Sequence, residues 1–269
     1  MPGFSSMSKK KHSMTKQIDR MTQLSTEYSN NIYVLKTGYS SSIILTLITL
    51  ITFAFAMMAV PPSGPYCPGD CMQYPYADSL KYYPRDYFWI YSAILQLITY
   101  IIFMISIHFL APEEKKIFSF IGIAFTIVAA VVLLSAYFIQ FAVVPISLLK
   151  GETEGIALFT QYNGHGIFIA LEELGYMMIS LSLLFLSPVF LKKSRLEKAI
   201  RWIFILPFML TIISLISYTI KFSIDRSYRF EVAAISANWL GIISISILMA
   251  IFFRRLIKCR RYNSSDAVR

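Results

Sequence analysis

Six long apolar stretches constrain the fold of this 269-residue chain more than any other feature. They cover residues 40–60, 87–111, 117–144, 165–191, 199–220 and 232–253. A helix needs about 20 mostly apolar residues to cross a bilayer, and backbone groups in lipid must be hydrogen-bonded within the protein. The sequence therefore predicts an all-α, multi-pass integral membrane protein with six transmembrane helices.

The charge content excludes other classes of protein. Charged residues make up only 15% of the chain and hydrophobic residues 56%, whereas an ordinary soluble domain has roughly 25% charged residues. A soluble globular enzyme and a disordered protein are both excluded. The formal net charge of +10 does not predict a nucleic-acid partner, because most basic residues lie at the ends of apolar stretches.

The distribution of Lys and Arg predicts the orientation in the membrane. If the chain crosses the membrane six times, four segments lie on the same side: residues 1–39, 112–116, 192–201 and 254–269. Together they contain 19 of the 25 Lys and Arg residues. Cytoplasmic segments carry such an excess. We therefore predict that the protein lies in the plasma membrane and that both of its termini are in the cytoplasm. Residues 1–39 are expected to form a disordered basic tail and 254–269 a second basic tail, both able to contact anionic lipid.

The longest segment on the opposite side is the loop at 61–86. It holds six of the eleven prolines, which stiffen the backbone. Cys67 and Cys71 enclose a turn on the oxidising side, so a disulfide between them is expected. A redox or metal-binding pair is the alternative, but no histidines or acidic residues stand at ligand spacing. The sequence predicts no metal and no cofactor.

Two acidic residues, Glu172 and Glu173, fall well inside a predicted crossing. An ionisable side chain at that depth costs at least ~2.5 kcal/mol on insertion scales, so it usually faces protein or a water-filled cavity. Helical geometry would place His165, Glu172 and Tyr176 on one stripe, with Glu173 turned about 100° away. The two acids therefore cannot both face one narrow groove, and the sequence leaves open which of them faces the interior of the bundle.

Polar residues on other helices are expected at a similar depth, and together they predict a pocket open to the outside. The predicted ligand-binding residues are Glu172, Glu173, His165, Tyr176, Gln96, Tyr137, Gln140 and Asn238. The competing interpretation is that the glutamates only form hydrogen bonds between helices, with no ligand. The residue pattern leaves both interpretations open.

Part of the chain resembles a family of prokaryotic six-helix membrane proteins with no assigned activity. The resemblance rests on the runs 137–140, 149–155 and 161–176, together with Tyr228-Arg-Phe-Glu-Val232 and Asn238-Trp239, and it covers about residues 85–250. Relatives often have proline where this chain has Gly164. The resemblance implies a prokaryotic membrane protein and gives no chemistry.

Three functions remain open at this point. The first is binding or sensing of a small polar or amphiphilic molecule, with the 61–86 loop as a lid. The second is a small transporter, proton-coupled through Glu172, which a faint internal repeat favours (109–112 resembles 185–188). The third is an acid–base enzyme acting on a lipid-like substrate through Glu172 or Glu173 and His165, which ranks last because no nucleophile is evident. A structural role, with self-association as one form, is the fallback.

Overall fold

A computed structural model describes Tyr28, residues 31–59 and residues 62–266, with side chains described up to Arg261. Within these residues all regular structure is helical, and six helices are long and apolar enough to cross a membrane. The prediction of an all-α protein with six candidate transmembrane helices is confirmed. The long helices are α1 (Ile32–Met58), α2 (Phe88–Leu110), α3 (Lys116–Ala142), α4 (Ile167–Leu186), α5 (Arg195–Phe222) and α6 (Arg229–Asp266).

The first and last helices extend beyond their apolar stretches. The α1 helix begins at Ile32, where the Asn31 side chain accepts a hydrogen bond from the backbone N–H of Tyr33 at 2.9 Å. The α6 helix continues to Asp266, so most of the predicted C-terminal tail is helical. Hydropathy detects only the part of a helix that suits lipid, whereas Arg and Lys are good helix formers in water. Most of the predicted N-terminal tail, residues 1–27, 29 and 30, lies outside the described residues.

The helices pack around a shared core. Helix α1 contacts α2 and α6, α2 also contacts α3, and α3 contacts α4. Helix α4 contacts both α5 and α6, which also contact each other. Helix α5 is the most peripheral of the six, since only 17% of its apolar stretch is buried inside the protein. The candidate site therefore depends mainly on α1, α2, α3, α4 and α6.

One end of the bundle is covered by two connecting segments, and we call it the disulfide-loop end. Residues 62–87 contain three short 3-10 turns and a disulfide between Cys67 and Cys71. The second segment, 143–166, contains two short helices, Val144–Leu149 and Ile156–Phe159. The Ser63 hydroxyl donates a hydrogen bond to the backbone carbonyl of Tyr162 at 2.6 Å, which joins the two segments.

Close approach between α5 and α6 depends on Gly241. A Cβ atom added at this position would lie 2.4 Å from Cγ of Pro207 in α5. The proline ring is rigid and part of the helix, so it cannot move aside like the end of a flexible side chain.

We predict that Gly241→Ala lowers the free energy of unfolding by about 1–3 kcal/mol, as overpacking usually does. Unfolding in mixed micelles titrated with a denaturing detergent would measure the change. Gly69→Ala is the matched control, because its added Cβ meets no atom within 4 Å. Equal stability of the two variants would contradict this account of helix packing.

Candidate ligand-binding site

A cavity of about 320 Å³ lies at the disulfide-loop end, between α1, α2, α4 and α6. Carboxyl groups and aromatic rings dominate its walls. The carboxyl groups belong to Asp86, Glu172 and Glu231, and the rings to Phe53, Tyr66, Trp89, Tyr162, Phe168, Tyr228 and Trp239. Part of the wall is accessible from outside, since the side chain of Met57 is 71% exposed. The cavity is thus apolar over much of its surface and acidic at defined points.

Glu172 is held by a chain of hydrogen bonds from three helices. The Tyr137 hydroxyl on α3 donates to Oε1 of Glu172 at 3.1 Å. The Tyr176 hydroxyl lies 3.0 Å from the Tyr137 hydroxyl, and it accepts a 3.0 Å hydrogen bond from Nε1–H of Trp239 on α6. Every donor points towards the carboxyl group, which is only 1% exposed. The chain therefore fixes the position of Glu172, which also lines the cavity.

Local sequence explains how these side chains meet. Glu172 and Tyr176 are four residues apart on α4, so they lie on one face of the helix. Gly175 lets α3 approach that face, because a Cβ there would lie 2.4 Å from Cγ of Leu133. The structure thus brings together three predicted site residues, Glu172, Tyr176 and Tyr137.

Glu231 is the main residue that sequence reasoning missed. It lies in the first turn of α6, is 7% exposed, and lines the same cavity as Glu172, with whose carboxyl group it interacts. Its Oε2 atom has no hydrogen-bond partner among the described residues. The predicted crossing began just after it, at 232. The missed signal was that Glu231, Ile235 and Trp239 follow one another at intervals of four residues, which places all three on one helix face.

Asp86 forms a separate acidic point in the cavity wall. Arg85 donates a hydrogen bond from Nε to Oδ1 of Asp86 at 2.7 Å, and the Tyr162 hydroxyl donates to Oδ2 at 3.3 Å. Burial, followed by the charge of Asp86, raises the pKa of the Tyr162 hydroxyl, which therefore stays a donor at neutral pH. Asp86 already has a cationic partner, whereas Glu172 and Glu231 face each other.

Of the eight predicted site residues, only Glu172 lines the cavity; Tyr137 and Tyr176 lie behind it in the donor chain. Glu173 is turned aside, and its Oε2 accepts a 3.2 Å hydrogen bond from Nη2 of Arg226. The expectation that His165 shares a helical stripe with Glu172 is wrong. Helix α4 begins only at Ile167, and His165 is an exposed turn residue whose N–H bonds to Oδ1 of Asn163 at 3.2 Å. The Asn163 side chain and Gly166 delay the start of the helix.

The three predicted amide residues are buried but do not line the cavity. Gln96 donates to Oγ1 of Thr49 at 3.0 Å and Asn238 to Oγ1 of Thr211 at 3.3 Å. Gln140 donates to the Tyr87 hydroxyl at 3.1 Å and accepts from the backbone N–H of Gln161 at 2.9 Å. Each amide joins separate parts of the chain, which is the usual work of polar residues between membrane helices.

The part of the chain that the structure describes contains no group of three or more His, Cys, Asp or Glu residues that could hold a metal ion. No protein-family model, curated protein or solved structure matches the chain. The resemblance to prokaryotic six-helix proteins therefore stays a prediction.

The donor chain predicts energetic coupling between Tyr137 and Glu172. In a double-mutant cycle, Tyr137→Phe and Glu172→Gln should show a coupling energy of about 0.5–2 kcal/mol, because each substitution alters the same hydrogen bond. The free energy of unfolding in mixed micelles is the measured quantity. Tyr100→Phe is the matched control. Its hydroxyl pairs with Ser182 at 2.6 Å, so this variant should combine additively with Glu172→Gln. Additive effects for Tyr137→Phe would contradict the donor chain.

Proposed function

We propose that the protein binds or senses a small polar or amphiphilic molecule in the cavity at the disulfide-loop end. The observation that carries the proposal is the Glu172–Glu231 pair, in which a buried oxygen of Glu231 has no donor among the described residues. Buried polar atoms in folded proteins nearly always have a partner, so an unpaired one in a cavity wall suits a bound molecule. A volume of about 320 Å³ is in the range of small-molecule sites.

A purely structural role for the glutamates receives less support. The amide nitrogens of Gln96, Gln140 and Asn238 show how this bundle uses polar side chains to join helices, because each donates to a partner elsewhere in the chain. None of these three residues lines the cavity. Glu231 lines the cavity, so its unpaired Oε2 belongs to a wall residue, whereas the unpaired Oδ1 of Asn238 does not.

The enzyme and transporter alternatives also receive less support. His165 is exposed on the turn before α4 and is not part of the cavity wall, so an acid–base pair with Glu172 lacks its second member. The described wall comprises the loops and the helix ends nearest to them, down to Trp239 on α6. A transport route would need a continuation to the opposite end of the bundle.

The cavity is proposed to open to the outer side of a plasma membrane, with both termini in the cytoplasm. The excess of Lys and Arg on the segments at the opposite end supports this orientation. The disulfide between Cys67 and Cys71 also suits an oxidising compartment at the cavity end.

Native mass spectrometry tests the binding function. We expect a small bound mass in the wild-type protein purified in mild detergent, and at least tenfold lower occupancy in Glu172→Gln. Glu173→Gln is the matched control, because it alters the adjacent carboxyl group, which lies outside the cavity wall and pairs with Arg226. Equal occupancy in all three proteins, or bare protein in all three, would count against the proposal.

Labelling of single cysteines tests the orientation. On intact cells a membrane-impermeant maleimide should label Glu154→Cys, in the loop at the cavity end, and should leave Arg195→Cys unlabelled until the cells are permeabilised. Both positions are exposed, whereas the native Cys259 is buried. The wild-type protein gives the background. The opposite labelling pattern would reverse the proposed orientation.

A further inference from the structure

The charge of the cavity wall is acidic and only partly compensated. Among the described residues that line the cavity there is no Lys, Arg or His. Asp86 is neutralised by Arg85, which lies beside the wall. Arg226 is paired with Glu173, which is not part of the wall. Glu172 and Glu231 are left facing each other in the absence of a cationic side chain, an arrangement that is unfavourable for buried carboxyl groups.

The contact between the two glutamates sets the charge that a ligand should carry. Two buried carboxyl groups in one cavity do not both ionise readily, because their like charges repel, so the pair is expected to retain one proton. With one shared proton, the Glu172–Glu231 pair carries a single negative charge. The unpaired Oε2 atom of Glu231 is an acceptor and needs a donor. A monovalent cation with N–H groups supplies both the charge and the hydrogen bond.

The aromatic walls favour an organic cation over a metal ion. The rings of Trp89, Phe168 and Trp239 line the same cavity as the two carboxyl groups. Cations are attracted to the faces of aromatic rings, and organic ammonium ions also gain from burial of their carbon atoms. A metal ion would instead need several oxygen ligands around one point, and Asp86 is already occupied by Arg85 and Tyr162.

The rim of the cavity indicates what the cation should be attached to. Met57 on α1, Tyr66 in the loop and Val232 on α6 all line the cavity and are all exposed. These side chains are apolar or amphipathic, and none of them carries a charge. An apolar substituent that extends from the carboxyl pair towards this rim would stay in contact with carbon atoms along its length.

We infer that the cavity takes a monovalent primary ammonium ion with an apolar substituent, whose nitrogen binds beside the Glu172–Glu231 pair. The inference rests on the binding function proposed above and names the chemical class of its ligand. The ammonium group donates to Oε2 of Glu231, while the Tyr137 hydroxyl donates to Oε1 of Glu172. The aromatic rings surround the substituent.

The test compares four probes of equal carbon number on the full-length protein in nanodiscs of zwitterionic lipid. They are hexylammonium, hexanol, hexanoate and 1,6-diaminohexane, which are cationic, neutral, anionic and dicationic. Binding is measured by calorimetric titration, with empty nanodiscs to subtract partition into lipid. We expect hexylammonium to bind at least tenfold more tightly than each of the other three.

Variants locate the site of binding. Glu231→Gln should weaken hexylammonium binding at least tenfold, whereas Glu173→Gln should leave it unchanged. Phe168→Leu keeps both carboxyl groups and removes one aromatic wall, so it should weaken binding about threefold or more. Because Glu231→Gln could also unfold the protein, its elution volume and melting temperature must match those of wild type. If they do not, Phe168→Leu and the probe comparison decide the question.

The outcomes separate this inference from the binding function itself. If hexanol or hexanoate binds as tightly as hexylammonium or more tightly, the inference of a cationic ligand is wrong, although the cavity still binds a ligand. If 1,6-diaminohexane binds more tightly than hexylammonium, the inference that the ligand carries a single positive charge is wrong. Absence of hexylammonium binding to the wild-type protein overturns the inference outright, while the binding function is judged independently by the mass that copurifies with the protein and is lost in Glu172→Gln.

Discussion

A carboxyl group buried within a bundle of long apolar helices must find hydrogen-bond donors inside the protein, and this requirement at Glu172 organises the centre of the molecule. Its donor chain runs through Tyr137, Tyr176 and Trp239, so α3, α4 and α6 are tied together at one level. Gly175 permits the close approach of α3 that the chain needs. Glu172 also lines the cavity together with Glu231. The stability of the bundle and the chemistry of the candidate site therefore share one set of contacts.

Much of the fold followed from hydropathy, because the bilayer imposes a length and an apolar character on each crossing. The number and class of the helices are the parts of the prediction that the structure confirms. Glu172, Tyr176 and Tyr137 could be grouped from the sequence, since one helical turn and a common depth are simple geometric quantities. The residues that the loops contribute to the cavity wall could not be predicted in this way. Asp86, Tyr162 and Tyr228 reach the cavity wall through the paths of three different connections between the long helices, which no periodic pattern encodes.

Two errors in the predicted site, at Glu231 and His165, share one physical origin, which is the position of helix starts. An apolar window set the start of the sixth helix after Glu231 and extended the fourth helix back to His165. In the structure Glu231 belongs to the first turn of α6, whereas His165 precedes α4. Helix termini depend on local caps and on tertiary contacts, to which hydropathy is insensitive. Polar residues within a few positions of a predicted terminus therefore need to be considered both inside and outside the helix.

The apolar rim at Met57, Tyr66 and Val232 has a consequence for how occupancy would be controlled. If this rim meets the lipid chains, an apolar ligand can reach the carboxyl pair from the bilayer as well as from the aqueous side. Occupancy of the proposed site would then depend on the mole fraction of the ligand in the bilayer. Additional lipid at constant total ligand would in that case lower the occupancy of the cavity.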